Sequence, residues 1–355
     1  MKILVTGGAG FIGSAYVRKA ALRGDELLII DKMTYASSRA AIAKILLSTR
    51  VTLVEKDICD QQEMVQLVAG FGPDYIVHFA AESHVDNSIA SPDNFIQTNI
   101  MGTYSLLNAA LANWQQLPLE RRHAFRFHHV STDEVYGDLP HPDDANTGNR
   151  QAVDLDFFVE TTPYRPSSPY SASKAASDHL VKAWNRTYGL PVTISNCSNN
   201  FGPFQHPEKL LPKTILNALS CQKIPIFGDG RNIRDWLFVD DHIDAIDLIL
   251  TNGRVGETYN VGANAEITNI DLVKIILDKL EVVKPISENL SNDAGYKSYH
   301  DLITYVEDRF GHDLRYGIDA TKIRLELGWQ PSNTIDTGLD KLIAFAMQRD
   351  EVNTN

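Results

Sequence analysis

Two carboxylates, Asp133 and Glu134, stand side by side in the segment STDEVYG, directly after the hydroxyl pair Ser131 and Thr132. The preceding residues are typical of a strand, and in α/β proteins ligands bind where parallel strands end. Adjacent carboxylates repel each other, so the pKa of one of them is expected to be raised. Such a pair is suited to acid–base chemistry, and the alternative interpretation is a solvated turn.

A second pair, Tyr170 and Lys174, lies four residues apart in PSSPYSASK. In a helix that begins near Pro169, both side chains lie on one face. The ammonium group is expected to lower the pKa of the phenol and prepare Tyr170 to take a proton from a hydroxyl. The same spacing is common in amphipathic surface helices. The catalytic interpretation is preferred because the chain also contains a dinucleotide-binding turn and the Ser-Thr strand end.

The third motif is a GxxGxxG turn formed by Gly7, Gly10 and Gly13 between a predicted strand and a predicted helix. Glycines allow the tight turn and let a pyrophosphate approach the backbone at the helix N-terminus. The next predicted strand ends at Asp31, where a carboxylate would hold a ribose 2′-hydroxyl and repel a 2′-phosphate. We therefore expect NAD as the cofactor rather than NADP, although Lys32 weakens the charge argument.

The elements that must position these motifs are strands that alternate with helices. Six short β-branched or aromatic runs indicate strands: KILVT, ELLIID, VTLVE, YIVHFA, FRFHHVS and PVTISNC. Their alternation with helical patterns predicts an α/β fold with a Rossmann-like, doubly wound parallel sheet. We predict an NAD-binding domain over residues 1–198 and a smaller substrate-binding lobe over residues 199–347, with a soft boundary because late strands such as ETYNVG could return to the first sheet.

Composition limits the classes of partner and the compartment. The 355 residues carry a net charge of −12, which argues against nucleic acid and anionic membranes as partners. Three widely spaced cysteines, Cys59, Cys197 and Cys221, and a start without an apolar leader predict a cytoplasmic protein. His78, His84 and Asp86 fit no standard zinc spacing, and we expect no metal.

Together, the glycine turn, Asp31, HFAAESHVD, the Ser-Thr strand end and YxxxK resemble the extended short-chain dehydrogenase/reductase family, which acts largely on nucleotide sugars. The resemblance extends over most of the chain. Within the family, STDEVYGDLPHP, NCSNNFGPFQHPEKL and IRDWLFVDDH resemble the dTDP-glucose 4,6-dehydratases, whereas epimerases usually lack the acid pair. The alternatives are an epimerase or dehydratase acting on another UDP-, GDP- or CDP-sugar, and a catalytically idle NAD-binding or regulatory protein.

The resemblance implies a reaction and a role for each catalytic residue. It implies that dTDP-glucose loses water across carbons 5 and 6 to give dTDP-4-dehydro-6-deoxyglucose, with the hydride carried by bound NAD. Tyr170, supported by Lys174 and Thr132, would take the proton of the 4-hydroxyl. Glu134 would act as the base at carbon 5, and Asp133 as the acid at carbon 6. A homodimer is also implied.

The same resemblance implies the binding residues. Cofactor positions fall, beside the three glycines, Tyr170 and Lys174, on Phe11, Ile12, Asp31, Lys32, Thr34, Asp57, Ile58, Ala80, Ala81, Thr98 and Asn200. Sugar-nucleotide positions fall on Ser83, Thr132, Asn199, Glu208, Lys209, Pro225, Phe227, Arg234, Asn269, Asp308, Arg309 and His312. Arg234 and Lys209 suit a diphosphate, although Arg234 could instead form a surface ion pair. Asn87, Ala263 and Phe310 depart from the family pattern.

Overall fold

The computed structural model describes residues 1–143, 157–308 and 312–354, with side chains as far as residue 348. Its strands are β1 (Lys2–Thr6), β2 (Glu26–Asp31), β3 (Val51–Glu55), β4 (Tyr75–His78), β5 (Arg126–Thr132), β6 (Val192–Cys197), β7 (Asn199–Phe201), β8 (Ile224–Phe227), β9 (Ile233–Phe238), β10 (Thr258–Val261), β11 (Glu266–Thr268) and β12 (Ile303–Val306). All six strands predicted from the sequence are present, at the predicted places in the chain.

The helices fill the intervals between these strands. They are α1 (Phe11–Leu22), α2 (Arg39–Ile42), α3 (Gln61–Phe71), α4 (Val85–Ala90), α5 (Pro92–Phe95), α6 (Thr103–Gln116), α7 (Leu119–Ala124), α8 (Pro169–Tyr188), α9 (Leu210–Leu219), α10 (Val239–Asn252), α11 (Asn269–Val283), α12 (Thr321–Leu327) and α13 (Ile335–Thr354). A π-helical stretch, Ile96–Gly102, leads into α6, and a 3₁₀ turn, Asp133–Tyr136, follows β5. In the described part of the chain, we find no helix with the length and apolarity needed to span a membrane.

Seven parallel strands form the central sheet in the order β10-β6-β5-β4-β1-β2-β3. The predicted α/β class with a Rossmann-like, doubly wound parallel sheet is confirmed. The seventh strand, β10, is the predicted late strand ETYNVG, so this part of the chain does return to the first sheet. The division into residues 1–198 and 199–347 stays a prediction.

Both faces of the central sheet are buried, as expected for parallel strands covered by helices. Alternate residues of β1 point to opposite faces. Ile3 and Val5 belong to an apolar cluster that includes residues of α1 and α10, whereas Leu4 belongs to a cluster with residues of α3 and α6. The sheet is therefore held from both sides, which fixes the carboxyl ends of its strands.

The C-terminal lobe has its own apolar core, in which Phe201, Trp236 and Leu272 are buried. It contains a three-stranded sheet, β11-β9-β7, and a two-stranded parallel sheet, β12-β8. Strand β7 follows β6 after one residue, and β9 leads directly into α10, which packs on the central sheet. These two connections place the loops of the lobe opposite the carboxyl ends of the central strands.

Candidate active site

A cavity of about 1040 Å³ lies between the carboxyl ends of the central strands and the C-terminal lobe. It reaches β1 and β4, where the strand order reverses and where ligands of such folds bind. The described residues predicted to take part line this cavity, apart from Asp308: Gly7, Gly10, Phe11, Ile12, Gly13, Asp31, Lys32, Thr34, Asp57, Ile58, Ala80, Ala81, Ser83, Thr98, Thr132, Asp133, Glu134, Tyr170, Lys174, Asn199, Asn200, Glu208, Lys209, Pro225, Phe227, Arg234, Asn269 and His312.

The remaining predicted residues belong to the segment after β12. Asp308 lines a separate small pocket, and its carboxylate contacts His312 Nδ1 at 2.7 Å. Arg309, like Phe310, lies outside the described residues. The structure thus brings the predicted residues of distant segments to one cavity, while their individual roles stay predictions.

The glycine turn between β1 and α1 has no room for side chains. Gly7 has φ of +71°, and a Cβ atom there would lie 2.6 Å from Ala80 N. A Cβ atom at Gly13 would lie 2.1 Å from Gly7 O. Gly10 precedes α1 and provides no side-chain cap, so the first turn of the helix is open to an anion from the cavity.

The carboxylate of Asp31 lies at the end of β2, and it is almost fully buried. It accepts hydrogen bonds from Ala9 N at 2.8 Å, from Met33 N at 2.9 Å and from the Ser37 hydroxyl at 2.7 Å. A 2′-phosphate would therefore meet a fixed negative charge. Lys32 does little to neutralise this charge, because its ammonium group forms an ion pair with Asp57 at 2.8 Å.

The acid pair occupies the 3₁₀ turn that follows β5. The Thr132 side chain accepts a hydrogen bond from Glu134 N at 3.3 Å and so caps this turn. Tyr136 at the end of the turn is buried, and its hydroxyl donates to Asn260 Oδ1 at 2.8 Å. Gly137 has φ of +97°, where a Cβ atom would meet Arg165 O at 2.6 Å. The turn is thus fixed at both ends, and its two carboxyl groups face the cavity.

The two carboxyl groups differ in their surroundings. Asp133 is buried, and both its burial and the charge of Glu134 raise its pKa well above the usual range. Its Oδ2 has no hydrogen-bond partner among the described residues. Burial also raises the pKa of Glu134 to about 7, while Arg234 and Lys209 oppose this shift. The raised pKa favours the protonated form of Asp133, which suits a proton donor, and Glu134 can accept a proton near neutral pH.

Tyr170 and Lys174 both belong to α8, which begins at Pro169 after a capping box between Ser168 and Ser171. The predicted start of this helix is confirmed. The predicted net lowering of the pKa of Tyr170 is wrong for this structure, because burial and the charge of Glu134 raise that pKa well above the usual range. The ammonium group of Lys174 instead donates to Val130 O at 2.9 Å.

Arg234 is a buried cation, and it makes no ion pair with any carboxylate that the structure describes. Its guanidinium group donates to the carbonyl oxygens of Ile233 and Asp313, each at 2.8 Å, and lies 4.2 Å from the ring centre of Tyr316. The alternative interpretation as a surface ion pair is therefore wrong. A buried guanidinium that lines a cavity and forms no ion pair with the described carboxylates is suited to bind an anionic ligand.

The histidines considered as metal ligands have other contacts. His78 is buried, with Nδ1 at 2.7 Å from the Thr6 hydroxyl and Nε2 at 2.9 Å from the Thr103 hydroxyl. His84 lies 3.5 Å from the Glu208 carboxylate. Within the described residues, no three His, Cys, Asp or Glu side chains are grouped so that they could hold a metal ion.

Sequence reasoning missed several residues that line the cavity. Asp313 accepts a hydrogen bond from the Ser167 hydroxyl and from Tyr316, and its charge raises the pKa of Glu134. Lys213, one turn after Lys209, also lines the cavity. Asn87 donates to the Tyr35 hydroxyl at 2.9 Å. Only the four-residue spacing of Lys209, which precedes α9, and Lys213, within α9, was visible in the sequence, since the other contacts join segments that are far apart.

Comparisons with known proteins give the family. A family model described as GDP-mannose 4,6 dehydratase matches residues 4–342. The chain belongs to this family. The resemblance to the extended short-chain dehydrogenase/reductases is thereby confirmed.

Individual relatives carry more specific descriptions. The chain is 53% identical to a dTDP-glucose 4,6-dehydratase of Neisseria meningitidis over 97% of this chain and 92% of the relative. It is also 53% identical to dTDP-glucose 4,6-dehydratase 1 of Escherichia coli K12, with the same coverage. The crystal structure of DesIV, a dTDP-glucose 4,6-dehydratase from Streptomyces venezuelae with NAD and dTDP bound, has a TM-score of 0.84 and 40% identity, covering 99% of this chain and 98% of that one.

Proposed function

We propose that this protein is a dTDP-glucose 4,6-dehydratase, which converts dTDP-glucose to dTDP-4-dehydro-6-deoxyglucose and water with bound NAD. The observation that carries the proposal is the acid pair, Asp133 and Glu134, in the same cavity as Tyr170 and the glycine turn. The full-length identity to enzymes of this description supports it. The enzyme is thus a hydro-lyase that needs no net oxidant.

The residues around the glycine turn fit NAD. Gly7 and Gly13 leave space for a pyrophosphate where any side chain would collide with the backbone, and the open first turn of α1 attracts its charge. The buried carboxylate of Asp31 suits a ribose with free hydroxyl groups. NAD bound here would accept a hydride from the sugar and later return it.

Tyr170 and Thr132 act at the sugar hydroxyl that is oxidised. Both side chains line the cavity, and a hydrogen bond with Thr132 lowers the pKa of Tyr170 against the larger effect of burial. Tyr170 takes the hydroxyl proton as the hydride leaves. Lys174, four residues later on the same face of α8, supplies a positive charge that favours the phenolate.

Asp133 and Glu134 carry out the elimination. A ketone at carbon 4 acidifies the hydrogen at carbon 5, and Glu134, with a pKa of about 7, is suited to take that proton. Asp133, which is buried and protonated, gives its proton to the hydroxyl that leaves carbon 6. Neighbouring atoms of the sugar thus meet neighbouring residues of one 3₁₀ turn.

Arg234 and Lys209 bind the diphosphate of the sugar nucleotide. Arg234 is oriented by backbone carbonyl groups and by the ring of Tyr316, so its free edge meets a phosphate in a fixed geometry. Both cations also act on the charge of Glu134. Substrate binding and the acidity of the base are therefore linked.

The deciding experiment offers the purified protein dTDP-, UDP-, GDP- and CDP-glucose and follows the product mass. We expect loss of one water from dTDP-glucose at a rate well above that of the other nucleotides. Solvent deuterium should also enter at carbon 5. Epimerisation without loss of water would identify an epimerase, and NAD binding without any turnover would identify an idle binding protein.

We also propose that the protein is a cytoplasmic homodimer. The apolar side chains of Ile89, Ile96 and Met101 are about half exposed on neighbouring parts of the α4–α6 region, and such a patch is typical of an interface. The cysteines are free, which suits a reducing compartment. Sedimentation of the purified protein should give twice the mass of one chain, and Met101→Glu should shift it toward the monomer.

A further inference from the structure

A buried polar network lies directly behind the cavity, on the inner face of α8. Tyr170, Lys174 and Asp178 follow one another at intervals of four residues, so they share one face of this helix. Tyr170 and Lys174 line the cavity, whereas Asp178 lies deeper and is wholly buried. A carboxylate in that position needs partners, because an isolated buried charge is strongly unfavourable.

The two oxygens of Asp178 face different partners. Oδ2 accepts hydrogen bonds from the Ser131 hydroxyl and the Tyr164 hydroxyl, both at 2.9 Å. Oδ1 lies 3.2 Å from Nε2 of His129. The same nitrogen of His129 lies 3.4 Å from Nζ of Lys174. Nε2 of His129 therefore lies between the carboxylate and the ammonium group, while Oδ1 of Asp178 makes no hydrogen bond to a described residue.

The surroundings of Lys174 act on its charge in opposite directions. Lys174 is almost fully buried, and no carboxylate in the described residues forms a direct ion pair with it. Burial lowers the pKa of Lys174, and the charge of Asp178 acts in the opposite direction. Burial also holds the pKa of His129 well below its usual range, so this histidine is neutral and adds no charge of its own.

We propose that Asp178 is a positioning residue for the reaction proposed above: its carboxylate, buried on the other side of His129 from Lys174, keeps Lys174 charged, and through Ser131 it holds the strand end that carries Thr132 and the acid pair. The contacts with Ser131 and His129 both reach β5, so Asp178 ties α8 to that strand. Asp178 does not line the cavity. It acts through Lys174, whose charge Tyr170 needs.

Other titratable groups surround Asp178 and Lys174 and bear on the pH dependence of their charges. They are His78 on β4, His129 on β5, Cys197 on β6, Tyr136 in the 3₁₀ turn, Tyr164 before α8 and Lys182 on α8. Burial raises the pKa of the Cys197 thiol to a value above that of a free thiol, and His78 is neutral for the same reason as His129. Burial also raises the pKa of Asp178, and the charge of Lys174 opposes this shift, so the carboxylate and the ammonium group stabilise each other's charge.

The test replaces Asp178 by asparagine, which keeps the shape and removes the charge. In the NAD-bound protein, we expect Asp178→Asn to move the alkaline limb of the pH–kcat profile about one unit toward acid, because Lys174 loses its proton earlier. At about pH 8, kcat should fall roughly tenfold while KM changes less than about twofold. Asp178→Glu should restore part of the profile.

Tyr164→Phe is the matched control. It removes one hydrogen bond from Asp178 Oδ2 and leaves the charge in place, so the positions of both pH limbs should stay as in the wild type. An equal shift in Tyr164→Phe and Asp178→Asn would mean that packing alone is responsible, and it would overturn the proposal. A uniform loss of kcat in Asp178→Asn, without any shift of the limbs, would overturn it as well.

A second readout does not depend on turnover. The ionisation of Tyr170 can be followed by ultraviolet titration of the NAD-bound protein, as the difference between each protein and its Tyr170→Phe version. Asp178→Asn should raise the pH at which Tyr170 ionises, because the charge beside it is weakened. An unchanged titration would contradict the inference even if the wild type shows no dehydratase activity, so the two proposals fail separately.

If Asp178→Asn does not retain NAD, His129→Gln tests the same interaction between Asp178 and Lys174 at the residue that lies between them. Glutamine keeps a polar group between Lys174 and Asp178 but breaks the short contacts at Nε2. We expect a shift of the alkaline limb in the same direction and of smaller size. A wild-type profile in a folded His129→Gln protein would show that Lys174 does not depend on this path.

Discussion

The two walls of the cavity are built in different ways. The cofactor wall consists of consecutive strand–turn–helix units, in which Gly7, Asp31 and Asp57 each follow a strand of the central sheet. The substrate wall is assembled from segments far apart in the chain, and Lys209 and Arg234 are its charged members. The first wall is local in sequence, whereas the second exists only after the lobe has folded against the sheet.

The acid pair lies at the junction of these walls and depends on both. Its 3₁₀ turn belongs to the central sheet through β5, but charges from the substrate wall act on it. Asp235 acts on the pKa of Asp133, and Arg234 and Asp313 act on that of Glu134. We infer that the cofactor wall supports every step, while the substrate wall adjusts the elimination.

The strongest test of the cofactor wall is Tyr170→Phe, which removes the proton acceptor proposed for the first step. Oxidation and every later step should slow by about 10²–10⁴-fold, since this is the usual contribution of a general base. NAD should remain bound, because the glycine turn is unchanged. The measurement is product mass together with the absorbance of reduced nicotinamide, and rapid reduction in this variant would assign the base to another residue.

Glu134→Gln should separate the two halves of the reaction. We expect elimination to slow by about 10²-fold or more and the first oxidation by less than tenfold. Reduced nicotinamide should then accumulate on the enzyme, where its absorbance can be followed during a single turnover. Equal slowing of both steps would mean that the turn has only a structural role. Asp133→Asn should give the same pattern.

The pH dependence of the same pair follows from its surroundings. Glu134 must be ionised to act as a base, and burial raises its pKa to about 7. The elimination rate should therefore rise with pH through about 7 and level off above it. Glu134→Gln should lack this rise. A rise of the elimination rate near the usual pKa of a glutamate would contradict the conclusion that burial raises the pKa of Glu134.

The cofactor wall could be predicted from the sequence, because its motifs lie close together in the chain. The order of strand, GxxGxxG, helix and Asp31 is contained in about thirty residues, and the period of the apolar residues reports the elements directly. The pairing of β10 with β6 could not be predicted, since ETYNVG is a short strand that fits either sheet by pattern.

The electrostatics of the site could not be predicted for a physical reason. The sequence places Lys174 four residues after Tyr170, but it does not report that the ammonium turns to Val130 O or that Glu134 faces the phenol. Likewise, the sequence leaves a surface ion pair open as an alternative for Arg234, and only folding shows this side chain buried against the ring of Tyr316. Burial and charge from distant segments set these pKa values.

Arg234→Lys tests the substrate wall alone. A lysine provides one point charge and cannot donate along the fixed fork that the carbonyl groups of Ile233 and Asp313 orient. KM for dTDP-glucose should rise by about 10–100-fold, with a smaller change in kcat. Arg231→Lys is the matched control, because Arg231 lies in the same segment and outside the main cavity. A similar change in both variants would remove the special role of Arg234.

The smallest effect concerns stability, and its sign follows from linkage. The pKa of Glu134 is raised in the folded state, from an ordinary value of 4.5 to about 7, so the folded protein holds this proton more tightly than the unfolded chain. The associated stability is fully present below about pH 4.5 and is lost as pH rises through about 7. The wild type should therefore lose stability between pH 5 and pH 8, whereas Glu134→Gln should not. The free energy of unfolding of Glu134→Gln, relative to that of the wild type, should increase by about 1–2 kcal/mol between these pH values. The full pKa shift does not apply, because Glu134 is partly open to the cavity. Urea unfolding of both proteins at these two pH values measures the difference. A constant difference would mean that Glu134 ionises at its ordinary pKa, and it would contradict the raised pKa assigned to this residue.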